Sequence, residues 1–460
     1  MTKEISSNLW ILTEERPKIE VIQKIINKTK IFKKLDIKIE NFKIEPIFDG
    51  EIFTHTFQVN SLNSKTIENI FIRLIGSGKQ SSFVDFLIFL QKDEPTREQI
   101  LENCIYAIEE TKTNTYDSRN TAMGQRSSKF NTLNYYIQKY KYQLKPVMYF
   151  SHAQAENDHN SVQFINKCLC HLESGIEFWG KDSSKFKKFG SLDELIKLKN
   201  EIAKTNTRDN DTPIKITKEK NIIKISGLLA NPGKDTKNRK YTGTIGHDPN
   251  IGQLPLIAKT IRSLGWKEKI VIIKHRILPE KVVEGRGNKF TRLAQYIDFE
   301  LENCPFPKTD FHLDYWKYER DNEKVGTILA QVILENKKME TIFDNHGGCE
   351  KSYFYGAGNK EIKISKKFSN DGGKIPDLVI KDNFNKIIYS YEGKTAKNIK
   401  AGFKEIEAFK LFEEMYLKIN YPDFEYRRGL IINGGKEINK DEVKFQLCEN
   451  SKIIKRDEFN

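Results

Sequence analysis

The order acid, strand, turn, strand, Glu-x-Lys, helix, strand occurs twice in this chain, and no other feature constrains the fold as much. In the later copy the apolar runs 378–380 and 387–391 are short, β-branched or aromatic, and separated by Lys-Asp-Asn-Phe-Asn-Lys. That is turn chemistry, so the stretch predicts a β-hairpin. Side chains alternate along a strand, which places Glu392 and Lys394 on one face, and the hairpin can bring Asp377 alongside them. The earlier copy spans 83–112, where Asp85 opens one apolar run and Glu110-Thr111-Lys112 closes another. Glu109 stands beside Glu110 and leaves a second register open.

The pattern continues in step. Helical periodicity covers 120–142 after the first Lys and 396–419 after the second, and a short apolar strand then begins near Val147 and near Leu430. Upstream, amphipathic helices are expected at 18–26 and 326–337. The chain therefore reads as α/β, with similar units at 1–155 and 321–460 and a less regular middle region at 156–320. The two units share pattern without residue identity, so this is not a sequence repeat.

Composition narrows the partners. With 460 residues, 38% of them hydrophobic, the chain can bury a real core. Its longest apolar runs, FLIFL and IVII, fall far short of the roughly 18 residues a membrane helix needs. The start, MTKEISSNLW, lacks the pattern of a secretory signal, and six cysteines without a CxxC pair make no disulfide framework, so a cytoplasmic protein without a membrane partner is expected. Cys168, Cys170 and His171 lack the second ligand pair of a metal knuckle and read as ordinary core or surface residues. A net charge of +14 suits a polyanion such as nucleic acid, although lysine-rich coding bias gives the same sign.

In the middle region a basic stretch, KDTKNRKYTGT, precedes a helix start at HDPNIG and a strand at IVIIKH, and a solvated linker or insert is the plain reading. No GxxxxGK[ST] occurs, which disfavours an ATP-driven enzyme.

Two carboxylates facing one spot bind a hard cation such as Mg²⁺, which takes its other ligands from water and a substrate phosphate. A lysine on the same face can orient a water, help deprotonate it or neutralise developing charge. The chemistry expected is phosphodiester hydrolysis.

Pro376-Asp377 followed by Glu392-Gly393-Lys394, and Val84-Asp85 followed by Glu110-Thr111-Lys112, resemble the motif of the PD-(D/E)xK nucleases, best populated by type II restriction endonucleases. The resemblance covers roughly 10–155 and 320–440, with Val84 where the pattern often has Pro. It implies two nuclease-like units, each a mixed central sheet flanked by helices. It also implies Mg²⁺ held by Asp377 and Glu392 and by Asp85 and Glu110, with Lys394 and Lys112 completing the catalytic sets. The partners implied are double-stranded DNA, cut at a specific sequence, and a cognate DNA methyltransferase, with the enzyme a monomer or homodimer. A helix-borne glutamate often supplements such sites, and Glu20, Glu335 and Glu350 are candidates. Arg119, Asn120, Gln125 and Arg126 are residue types that read base edges or phosphates. Two centres in one chain would let each cut one strand. A repair or mobile-element nuclease, or a DNA-binding protein without catalysis, are the alternatives.

Overall fold

The carboxylate of Asp382 accepts the amides of Phe384 at 2.9 Å and Asn385 at 3.0 Å, and this side-chain turn closes the hairpin expected at 378–394. The computed structural model describes residues 7–29, 42–60, 67–76, 84–98, 100–111, 122–151, 160–182, 186–205, 214–226, 250–273, 288–303, 323–345, 353–365, 368 and 371–460. The chain is α/β, with mixed sheets flanked by helices. It divides into two compact units, the first made of Met1–Ile75, Leu90–Asp93 and Tyr318–Asn460, the second of Gly76–Phe89 and Glu94–Lys317. The segments expected at 1–155, 156–320 and 321–460 are cut differently: residues 1–75 join the C-terminal part, and 94–155 join the middle.

The N-terminal part of the first unit holds β1 (Ser7–Thr13), α1 (Ile19–Lys28), β2 (Lys43–Asp49), β3 (Ile52–Asn60) and β4 (Ile67–Leu74). The strands lie in the order β2-β3-β4-β1, antiparallel except for the parallel pair β4 and β1. Helix α1 buries Ile22, Ile25 and Ile26 at helical spacing. These residues belong with the C-terminal part because Arg16 pairs with Glu335, Lys18 lies 3.4 Å from Asp344, and the Phe53 amide donates to the Ser451 carbonyl at 3.0 Å.

The second unit begins with β5 (Phe86–Gln91, to Phe89 in this unit), β6 (Tyr106–Thr111), α2 (Ala122–Tyr140), β7 (Lys145–Phe150), α3 (Asn160–Leu169) and β8 (Glu177–Trp179). The pair β5 and β6 is antiparallel, whereas β6, β7 and β8 run parallel. After α4 (Leu192–Thr205) come β9 (Lys215–Lys218), β10 (Ile222–Ser226), α5 (Asn250–Ser263), β11 (Lys269–Ile273), α6 (Asn288–Ile297) and β12 (Glu300–Leu301). Here too an antiparallel pair, β9 and β10, is followed by parallel β11 and β12 with a helix before each.

The region expected to be less regular thus repeats the hairpin-helix-strand order a third time, without the acids. Its strands are two to five residues long, too short for periodicity to register. Helices α2 and α5 meet at the third residue of each, Gly124 and Gly252. A Cβ on Gly252 would stand 1.9 Å from the Gly124 carbonyl oxygen, so only glycine allows that approach.

The C-terminal part of the first unit contains α7 (Glu323–Asn336), β13 (Glu340–Asp344), β14 (Tyr353–Tyr355), β15 (Glu361–Lys363), β16 (Leu378–Asp382), β17 (Ile387–Thr395), α8 (Ile399–Phe412), β18 (Glu425–Asn433), β19 (Val443–Leu447) and β20 (Ile453–Lys455). Six strands form a sheet in the order β13-β16-β17-β18-β19-β20, and β17, β18 and β19 are parallel. Strand β17 is buried over its first seven residues, the pattern of a central strand covered on both faces, and both α7 and α8 contact it. Helix α7 is buried continuously from Val325 to Leu334 because it also packs against β2.

Candidate active site

The β16–β17 register pairs Leu378 with Tyr391, and the Asp377 amide extends that ladder by donating to the Tyr391 carbonyl at 3.0 Å. Asp377 is thereby set opposite Glu392. Its Oδ2 turns back to accept the Gly393 amide at 2.9 Å. A Cβ on Gly393 would stand 2.4 Å from Thr327 Oγ1 on α7, so a glycine between Glu392 and Lys394 lets α7 close over the strand. The expected trio Asp377, Glu392 and Lys394 is therefore brought together.

Lys394 donates to Glu392 Oε1, and its Nζ lies 3.0 Å from Oε2 of Glu405 on α8. Glu405 also faces Lys374 at 3.6 Å. Glu392 is 3% exposed, and its Oε2 is buried without a donor. Burial pushes the Asp377 carboxyl up to about 6, with the Gly393 amide and Lys394 opposing and Glu323 adding to the rise. Burial, the Asp377 charge and the adjacent Glu405 carboxyl hold Glu392 well above the usual carboxylate range. Glu405, less deeply buried, is held low by Glu392 and Lys394 against its own burial. Burial works against the Lys394 charge, but Glu392 and Glu405 outweigh it and raise the ammonium above its ordinary value. Three carboxyls thus converge on Lys394, with Lys374 paired to Glu405 and acting more weakly on Asp377. The excess negative charge is relieved by holding a proton or by taking up a cation.

No group of three or more His, Cys, Asp or Glu among the described residues stands as a ready-made metal cage. A Mg²⁺ site needs less, because one or two carboxylates suffice when water and phosphate complete the octahedron. Buried Asp377 and the orphaned Glu392 Oε2 fit that requirement.

The β5–β6 hairpin repeats the backbone geometry in a different register. Asp85 Oδ2 accepts the amide of Glu110 at 2.6 Å, so Glu110 occupies the place of Gly393. Glu109 then stands where Glu392 does, and Thr111 where Lys394 does. The strand pairing agrees, since Phe86 opposite Ile108 sets Asp85 opposite Glu109. Arg126 on α2 donates to Glu109 at 3.0 Å and Thr111 at 3.2 Å, and Lys129 donates to Glu109 at 2.6 Å. Where α8 presents an acid to Lys394, α2 presents two cations to Glu109.

The chain matches no family model, no curated protein and no solved structure.

Of the remaining candidates, Arg126 is committed to Glu109 and Thr111 rather than presented to a ligand. Lys112, Arg119, Asn120, Glu350 and the side chain of Gln125 lie outside the described residues. Glu20 is exposed on α1. Glu335 sits at the far end of α7, where it pairs with Arg16 and accepts from Thr341. The acids near Asp377 and Lys394 are instead Glu323, in the first turn of α7, and Glu405. Glu405 falls within the helix expected at 396–419, and helical phase could have singled it out. Nothing in the sequence distinguishes Glu323 from Glu335.

Proposed function

We propose that the first unit carries one divalent-cation-dependent phosphodiesterase centre acting on DNA, and that the chain is a sequence-specific endonuclease of the type II restriction kind. The observation that carries this reading is the convergence of Asp377, Glu392 and Glu405 on Lys394, with Glu392 Oε2 left without a donor. The net charge of +14 supports a polyanionic substrate.

Asp377 and Glu392 would hold the ion. When bound, Mg²⁺ supplies electrophilic stabilisation of the phosphoryl oxygens and lowers the pKa of a coordinated water. Asp377 is kept in place by the Gly393 amide, so its carboxyl needs no rearrangement to serve. Lys394 is fully charged, so in this geometry it acts as a donor: it orients a water and offsets negative charge building on the phosphate. Glu405 fixes the ammonium from the α8 side.

The second unit's hairpin is proposed to be non-catalytic, because Arg126 and Lys129 already satisfy Glu109. A single centre then implies that both strands are cut by two copies of the chain or by rebinding. Incubating supercoiled plasmid with the protein and Mg²⁺, then sequencing the ends, tests the whole reading. Discrete ends that require Mg²⁺ support it, scattered or structure-directed cuts favour a repair-type or mobile-element nuclease, and retention without cutting overturns the catalytic assignment. Duplex affinity should fall steeply between about 50 and 200 mM salt.

A further inference from the structure

The last turns of α2 and the two residues after it read Tyr135-Tyr136-Ile137-Gln138-Lys139-Tyr140-Lys141-Tyr142, and their rings form a ladder. Tyr136 and Tyr140, one turn apart, stack with centroids 5.8 Å apart and planes 19° from parallel. Tyr140 and Tyr142 stack at 5.4 Å and 20°. Two residues apart, Tyr140 and Tyr142 would not meet on a continuing helix. They meet because Lys141 takes a left-handed backbone, φ 58°, at the helix end. A lysine in a conformation that favours glycine carries a conformational cost, so the position keeps its side chain at some expense.

Two further facts separate this ladder from ordinary core packing. Tyr136 is buried, but Tyr140 is 47% exposed, so the stack rises out of the helix packing into solvent. Lys139 Nζ lies 5.4 Å from the centroid of Tyr135 and 5.1 Å from that of Tyr140. Neither Lys139 nor Lys141 has an acidic partner among the described residues, and both are exposed. The carboxylate of Glu102 acts on Tyr142. Behind the ladder, Tyr135 packs edge-on against Tyr136 and against Tyr296 of α6, which fixes its base.

Aromatic rings flanked by cations that have no acidic partner among the described residues suit a ligand that alternates flat rings with negative charges. We infer that the Tyr136–Tyr140–Tyr142 ladder, with Lys139 and Lys141, is a docking platform for single-stranded nucleic acid. A base stacks on the outer face of Tyr142, continuing the ladder that Tyr140 supports, and the lysines meet the phosphates. A duplex buries its base faces and cannot use the rings, so the platform selects unpaired strand. The inference extends the nucleic-acid reading of the chain, but it does not depend on any cutting chemistry.

The test uses the full chain carrying Asp377→Ala, so that substrate is not consumed, and fluorescence anisotropy with a labelled oligothymidylate of about 12 nucleotides. Tyr140→Ala takes away the ring on which Tyr142 is stacked and should weaken binding between about 5- and 140-fold, the range for losing one base stack. Tyr140→Phe, which keeps the ring, should stay within about 2-fold of the parent by the same reasoning. A duplex of equal length should bind the parent and Tyr140→Ala alike. Should Tyr140→Ala fail to fold, Lys139→Gln with Lys141→Gln leaves the rings intact. That pair should reduce the single-strand salt slope by about 1.4, two phosphate contacts' worth. No oligothymidylate binding by the parent, full binding by Tyr140→Ala, or equal losses for single strand and duplex would each overturn the inference. If the Asp377→Ala chain still cuts DNA while the Tyr140 results hold, the catalytic assignment falls and the platform stands.

Discussion

Asp377 accepts a hydrogen bond from the amide of Gly393 at 2.9 Å. That contact crosses the hairpin and sets the acid of one strand against the Glu-x-Lys of the next. The same bond from Glu110 to Asp85 shows that the second hairpin shares the backbone device but not the side chains that follow from it.

Asp377→Asn, Glu392→Gln and Lys394→Ala should each reduce Mg²⁺-dependent plasmid cleavage by at least about 100-fold, the scale for losing a metal ligand or a positioned charge. Duplex binding should persist in all three, measured by gel shift in Ca²⁺. Full cleavage by Asp377→Asn would rule out the centre as described.

Asp85→Ala and Lys112→Ala should still linearise plasmid, because Thr111 rather than Lys112 matches Lys394 in register and Glu109 is satisfied by Arg126 and Lys129. Glu109→Ala should lower stability by about 1–3 kcal/mol, since it removes the buried carboxylate that Arg126 and Lys129 share. Its thermal midpoint should fall without open circles accumulating. Open circles from Asp85→Ala, nicked on the strand opposite to those from Asp377→Ala, would instead establish two centres.

The pH dependence of stability follows from the raised carboxyls. An aspartate ionises near 4 when unfolded, and Asp377 is pushed up to about 6 in the fold. The folded state therefore holds the proton more tightly across that interval. Stability without metal should fall as pH rises from about 4 through 6, and Glu392, also raised, extends the fall upward. Bound Mg²⁺ needs both groups ionised, so it should raise the thermal midpoint at pH 8 more than at pH 5. Equal shifts at the two pH values would argue against these carboxyls as the ligands.

Gly393→Ala should be disabling, because its methyl would meet Thr327 Oγ1 at 2.4 Å. About 1–3 kcal/mol of destabilisation is expected from such overpacking. Thr327→Ala removes the clashing oxygen, leaving Thr327 Cβ at 3.7 Å, and the double variant should recover most of the loss. Additive losses in a double-mutant cycle would show that the two positions do not touch.

Binary pattern and turn residues fixed the local elements. The hairpin at Asp382, the helices α2, α7 and α8, and the strands β7 and β18 were all legible, because period and turn chemistry are properties of neighbours in sequence. The gathering of Asp377, Glu392 and Lys394 was legible for the same reason, since one hairpin carries all three. Register in the other hairpin was not. Choosing Glu109 over Glu110 depends on which residue Asp85 faces across the ladder, and a slip of one residue reverses every side chain. Glu405 and the cations Arg126 and Lys129 come from helices packed over the strands, and only that packing decided whether an acid or a base meets each glutamate. The third hairpin-helix-strand order, around β9 to β12, was hidden because its strands are too short to show a period. Its Gly124–Gly252 crossing is set by two backbones that meet only in the fold.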